Sequence, residues 1–137
     1  MIKKRYITYT EFGDLMNQFV NKIRSHISTD SIKYVYGPPR GGLPIATHIS
    51  HHLNLELIVT FTMTQQSTPI LLVDDVCDSG RTIQQLLELR PNCIVATLFK
   101  KPRSAIEPNI YLEEVDNDTW LVFPWEKDDT PDKDYFL

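Results

Sequence analysis

The chain has no surplus of positive charge: 14 Lys and Arg stand against 18 Asp and Glu, a net charge of −4. Phosphate backbones are met by clustered cations, so this balance argues against nucleic acid as the main partner. No apolar run approaches the roughly 18 residues of a membrane span, and the residues after Met1 lack the apolar core of a signal peptide. The expectation is a cytoplasmic protein with no membrane partner. Cysteine is scarce, and Cys77 and Cys93 show no metal-ligand spacing and sit in apolar company, as small buried hydrophobes do. No internal repeat, low-complexity segment or Gly/Ser linker interrupts the 137 residues, which reads as one domain over 1–137. Its last residues, EKDDTPDKDYFL, read as a solvated acidic tail over about 126–137.

What is present is a globular composition, 42% apolar and 23% charged, with a regular alternation of element types. Thr8 and Glu11 have capping-box spacing, and Phe12, Leu15, Met16, Phe19, Ile23 and Ile27 recur at helical intervals behind them. IKYVYG is a short strand closed by Gly and two prolines, and GLPIATHISHHL carries Leu43, Ala46, Ile49 and Leu53 on one helical face. LELIVTF and PILLVDD read as buried strands, SGRTIQQLLELR as a helix stopped by Pro91, and CIVATLF as a further strand. Strands alternating with helices predict an α/β fold: an open, mostly parallel twisted sheet with helices on both faces. Ligands of such sheets bind outside the carboxyl ends of the strands, where GPPRGG and DDVCDSGRT both emerge.

Within LLVDDVCDSGRTIQQLL, Asp74 and Asp75 follow an apolar strand directly. Adjacent carboxylates repel and resist desolvation, so folding alone gives no reason to put them there. Past them, Ser79, Gly80, Arg81 and Thr82 turn the chain into a helix and offer unpaired backbone N–H groups and hydroxyls to an anion, most naturally a phosphate monoester. Two acids beside a phosphate cup are relieved by vicinal hydroxyls or by Mg²⁺, and a ribose 5-phosphate offers both relations. Taken alone, DSG would be a helix cap. The whole run is more specific: two acids, a third at Asp78, and a Ser-Gly-x-Thr turn between strand and helix.

LLVDDVCDSGRT resembles the signature of type I phosphoribosyltransferases, in which an apolar strand, two acids and a Thr/Ser-Gly-x-Thr loop bind 5-phosphoribosyl 1-pyrophosphate (PRPP). The resemblance implies that residues 78–82 hold the 5-phosphate and that Asp74 and Asp75 hold the ribose hydroxyls and the accompanying Mg²⁺. It also implies that Asp78 faces N7 of a 6-oxopurine as general acid and base, a position from which a carboxyl can manage that proton. GPPRGGLP, weak by itself, resembles the pyrophosphate loop of the same family, with Arg40, Gly41 and Gly42 as an anion cradle and a cis peptide at Pro39-Arg40. LFKKPRS and DTWLVFPWE are similar to segments of bacterial xanthine-guanine phosphoribosyltransferases. There a lysine meets the purine 6-oxygen and an aromatic stacks on the base, which puts Lys101, Trp120 and the backbone of Leu121 at the base. Lysine only donates, so it suits an oxo group and would leave an amino group unpaired.

The resemblance implies a purine-salvage transferase for guanine, xanthine or hypoxanthine that works as a homodimer or homotetramer. One departure stands out. Where the family inserts a long hood before the acid-bearing strand, this chain has only TMTQQSTP, residues 62–69, which covers less of the reacting centre. The stunted hood motivates a second reading, a nucleotide-binding or PRPP-binding regulatory protein without turnover, and a hydrolase or other ribose-phosphate enzyme is a third. Trp125 and Phe123 read as packing aromatics, and His48, His51 and His52 as a partly exposed cluster without the ligands of a metal site.

Overall fold

In the computed structural model, which describes residues 2–28, 31–62 and 67–128, Thr8 caps the first helix as its spacing to Glu11 predicts. Its Oγ1 accepts the Glu11 N–H at 3.0 Å, and α1 (Tyr9–His26) buries Leu15, Met16, Phe19, Val20 and Ile23 on one stripe. Five strands form the main sheet: β2 (Tyr34–Tyr36), β3 (Glu56–Leu57), β4 (Ile70–Cys77), β5 (Ile94–Lys100) and β6 (Ile110–Glu114). Their order is β3-β2-β4-β5-β6, every pair parallel. The pleat sends alternate residues of β4 to opposite faces. Leu71 and Val73 join α1 and α2 (Gly42–Leu53), while Ile70 and Leu72 pack with Ile83 of α3 (Arg81–Leu89) on the other side. Helices therefore cover both faces, and the four apolar residues before the acids are fully buried. No helix of the described residues is long and apolar enough to cross a membrane.

Three features depart from the sequence expectations. The run LELIVTF contributes only the two-residue strand β3; Ile58 and Phe61 turn into the α3 side of the core and Val59 is 67% exposed. On α2 the buried face is Gly42, Ile45, Ala46, Ile49 and Leu53, so Ile45 replaces Leu43, which is 36% exposed. Asp74 and Asp75 lie inside β4, which continues to Cys77 alongside β5, instead of beyond its end.

Three strands were not foreseen. Besides β6, β1 (Lys3–Tyr6) and β7 (Thr119–Val122) form a separate two-stranded parallel sheet, in register Lys4↔Trp120 and Arg5↔Leu121. The base-reading segment expected at the C-terminal end is thus half of a sheet whose other half comes from the N-terminal residues. Arg5 joins the two sheets: it pairs with Glu113 of β6, and its guanidinium lies 5.2 Å over the Phe99 ring of β5.

The connection from β3 to β4 is fastened by the residues that follow α3. Arg90, 1% exposed, donates from Nε to the Phe61 carbonyl at 3.1 Å and from a terminal nitrogen to the Thr68 carbonyl at 2.9 Å. Asn92 Nδ2 donates to the Ser67 carbonyl at 2.9 Å. Residues 63–66 of TMTQQSTP lie outside the described residues. Charge-assisted bonds of this kind leave buried carbonyls unsatisfied when the donor is removed, so Arg90→Ala should cost about 2–4 kcal/mol. Urea unfolding monitored by tryptophan fluorescence checks this, and a midpoint equal to the parent's would contradict it.

Candidate active site

The ladder between β2 and β4 ends at Tyr36↔Leu72, and the loop after β2 crosses the acid-bearing end of β4. Only glycine permits the approach. A Cβ on Gly41 would stand 2.4 Å from Asp75 Oδ2, and one on Gly42 would stand 2.8 Å from the Val73 carbonyl oxygen. The peptide between Pro39 and Arg40 in this loop is cis. The carboxylates bond to their own strand: Asp74 Oδ1 accepts the Asp75 N–H at 2.9 Å, and Asp75 Oδ1 accepts the Val76 N–H at 2.7 Å. Desolvation holds Asp74 well above the usual carboxylate value, with the Asp75 charge adding to it, and desolvation raises Asp75 as well. Among the described residues no basic side chain pairs with either acid to oppose this.

Past the acids the chain turns through Gly80, whose φ of 81° lies in the left-handed region that favours glycine. The turn opens α3, and a cleft of about 220 Å³ lies against Asp74, Asp78, Ser79, Gly80, Arg81 and Thr82. The segment following β5 templates this loop. Lys101 donates its N–H to the Cys77 carbonyl and Ala105 donates to the Ser79 carbonyl, each at 2.9 Å. Ser104 lies so close that a Cβ on Gly80 would come within 2.8 Å of its Oγ.

A second cleft of about 200 Å³ shares Val76 and Asp78 with the first, and adds Asp75, Lys101, Trp120 and Leu121. The predicted base-reading residues therefore meet the predicted acid, although they come from β4, the end of β5 and β7. Lys101 is 3% exposed; its ammonium donates to Asp78 Oδ2 at 3.3 Å and lies 5.9 Å from the Trp120 ring centre. Desolvation lowers the Lys101 pKa against the opposing pull of Asp78. Sequence reasoning missed Arg103, whose Nε donates to Asp78 Oδ1 at 2.7 Å and whose terminal nitrogen stands 2.5 Å from the same oxygen. Its signal was a third cation in KKPR, two residues past Lys101.

A third cleft, of about 340 Å³, holds Arg40 and Gly41 opposite Trp125, Glu126 and Lys127. Glu126 also lines the second cleft, so the three form one broken groove along the carboxyl edge of the sheet. Trp125 packs as expected, stacked on Phe123 at 5.4 Å and edge-on to Phe12 at 4.8 Å, and it also forms a wall of this cleft. Glu126 and Lys127 were not singled out because they read as part of an acidic tail, of which residues 129–137 lie outside the described residues.

The remaining reactive side chains lie elsewhere or are inert. Burial pushes the Cys93 thiol up to about 11 and raises Cys77 too, so neither is a ready thiolate. His48 and His52 stack at 4.1 Å, and no group of three His, Cys, Asp or Glu suited to a metal occurs among the described residues. A hard divalent cation such as Mg²⁺ nevertheless suits the chemistry of Asp74 and Asp75. Two desolvated carboxylates gain from a cation between them, and Mg²⁺ commonly takes one or two protein carboxylates and completes its shell with ligand oxygens and water.

No family model matches the sequence. The xanthine-guanine phosphoribosyltransferase of Cereibacter sphaeroides is 32% identical over 113 residues, which cover 67% of this chain and 68% of that protein. The chain belongs to the type I phosphoribosyltransferase family. The protein of the same name from Desulfotalea psychrophila is 28% identical over 118 residues, 73% of this chain and 74% of that one. The purine phosphoribosyltransferase of Pyrococcus horikoshii has the same fold, with a TM-score of 0.79 over 96% of this chain and 99% of its own, at 24% identity. In this family member, then, the groove lies where parallel α/β sheets place their ligands.

The acid pair carries a stability consequence. Because the folded-state values of Asp74 and Asp75 are raised, the protonated pair favours folding below the ordinary carboxylate value, and that contribution is lost as pH rises through the folded values. Raising the pH toward 7.5, which favours the ionised pair, therefore weighs against the fold. Asp74→Asn should raise the melting temperature there by a few degrees, with the gain shrinking as the pH is lowered toward 4. Calorimetric melting at both pH values checks this; a lower melting temperature for the variant at pH 7.5 would contradict it.

Proposed function

We propose that the chain transfers the 5-phosphoribosyl group from PRPP to a 6-oxopurine, guanine, xanthine or hypoxanthine, and releases pyrophosphate. The observation that carries this reading is the shared wall of two clefts: Asp78 and Val76 border both the cup at the start of α3 and the recess formed by Lys101, Trp120 and Leu121. A base in the recess and a phosphate in the cup would bracket Asp78 and the acid pair.

In this reading the N–H groups and hydroxyls of Ser79, Gly80, Arg81 and Thr82 take the 5-phosphate, and Asp74 and Asp75 take the ribose hydroxyls. Mg²⁺, held by Asp75 and Asp74 together with PRPP oxygens, would neutralise charge building on the departing pyrophosphate. Arg40, with the N–H groups of Gly41 and Gly42, binds that pyrophosphate from the opposite side of the groove. Trp120 stacks on the purine, Lys101 donates to its 6-oxygen and the Leu121 backbone meets the 2-substituent. A ring nitrogen bonds to C1 of the sugar as the C1–oxygen bond to pyrophosphate breaks, the leaving group taking the electron pair, and Asp78 manages the proton at N7. Rate comes chiefly from holding base and sugar in line and from complementing the cation-like ribose with the acid pair. The same reading makes the protein a cytoplasmic salvage enzyme, a homodimer or homotetramer with small-molecule substrates and no nucleic-acid or membrane partner. The net charge of −4 is in keeping with it.

The short link between β3 and β4 favours one alternative, a protein that binds PRPP or a nucleotide without turning it over. A panel of nucleobases incubated with Mg²⁺ and PRPP separates the two. Nucleotide and pyrophosphate should form with 6-oxopurines and not with adenine. Binding by calorimetry without product across the panel would select the alternative. Asp78→Asn should lower turnover by roughly 10²–10⁴-fold while PRPP binding stays near the parent's; unchanged turnover would remove Asp78 from the chemistry.

A further inference from the structure

Asp78 meets two cations through different oxygens. Arg103 holds Oδ1 by two nitrogens at 2.7 and 2.5 Å, whereas Lys101 reaches Oδ2 across 3.3 Å. The tighter contact, two guanidinium donors converging on one oxygen, is the stronger restraint, and it leaves Oδ2 outside the grip of Arg103. Arg103 is itself anchored apart from its side chain: its backbone N–H donates to Asn117 Oδ1 at 2.9 Å. Lys101 also donates to the Asn117 carbonyl, at 3.3 Å, so both cations share one support in the turn between β6 and β7.

We propose that Arg103 is a positioning residue for base recognition: it pins Asp78 through Oδ1, aims Oδ2 at the purine N7–H, and frees Lys101 to exchange Asp78 for the purine 6-oxygen. This deepens the function proposed above and rests on it. Lys101, at 3% exposure, cannot leave its carboxylate for a neutral oxygen cheaply if that carboxylate is then abandoned. With Arg103 in place, Asp78 keeps a cationic partner throughout, and the exchange is between two hydrogen bonds of Lys101 alone. The residue lines none of the three clefts described, so it acts through Asp78 and not on the ligand.

The test uses two base analogues as competitive inhibitors of transfer: 9-deazaguanine, which carries an N7–H, and 7-deazaguanine, which has carbon at that position. The parent should bind 9-deazaguanine more tightly. Arg103→Ala should compress that preference by roughly ten- to a hundredfold and lower kcat/KM for guanine by a similar factor, the scale of a charge-assisted bond. It should leave the KM for PRPP within about twofold. Arg103→Lys, which restores the charge and one donor, should recover part of the preference. Equal weakening of both analogues, or a changed PRPP KM with the preference intact, would make Arg103 a structural residue and overturn the inference. If the parent forms no nucleotide and binds neither analogue in direct calorimetry, the proposed function itself fails and the inference falls with it.

Discussion

Two desolvated, adjacent carboxylates inside the central strand are the constraint around which the rest is arranged. Four fully buried apolar residues fix Asp74 and Asp75 in the middle of a parallel sheet. At that point β2 has stopped pairing and a glycine-bearing loop lies directly on the Asp75 carboxylate. Nothing among the described residues neutralises the pair, so ionising it opposes the stability of the fold. A site that costs stability and faces an open groove is what a ligand carrying hydroxyls and a divalent cation would relieve.

Every other part of the groove is placed by reference to that strand. The segment from Lys101 to Ala105 bonds back to Cys77 and Ser79, which fixes the loop that opens α3, and the same segment supplies Lys101 and Arg103 to Asp78. The two clefts that meet at Asp78 thus rest on one piece of backbone. Arg5 extends the linkage, joining the small β1–β7 sheet that carries Trp120 to β6 and β5 of the main sheet.

How much of this is legible without coordinates follows the range of the interactions. The cap at Thr8, the buried stripe of α1, the apolar run of β4 and the Gly80 turn are local, and their spacing alone identifies them. β1 and β7 are not legible in that way, since KKRY and TWLV become strands by pairing across more than a hundred residues, and neither alternates cleanly. LELIVTF misleads because Ile58 and Phe61 are apolar for packing beneath α3, not for extending a strand. Leu43 misleads because its spacing fits the buried face as well as Ile45 does, and only the seating of α2 on β4 separates them. The candidate site residues on β4 and in its following loop are contiguous in sequence, and the comparison with known families extends the list to Arg40, Lys101 and Trp120. Arg103 escaped because its contact with Asp78 spans 25 residues and leaves no periodic trace.

A crystal structure of the protein grown with Mg²⁺ and PRPP, or with a nucleoside monophosphate, tests the central claim most directly. The account predicts density for the 5-phosphate within hydrogen-bonding distance of the backbone N–H groups of Ser79 to Thr82, with the ribose diol against Asp74 and Asp75. A ligand bound elsewhere at saturating concentration, with both aspartates turned to bulk water, would contradict it.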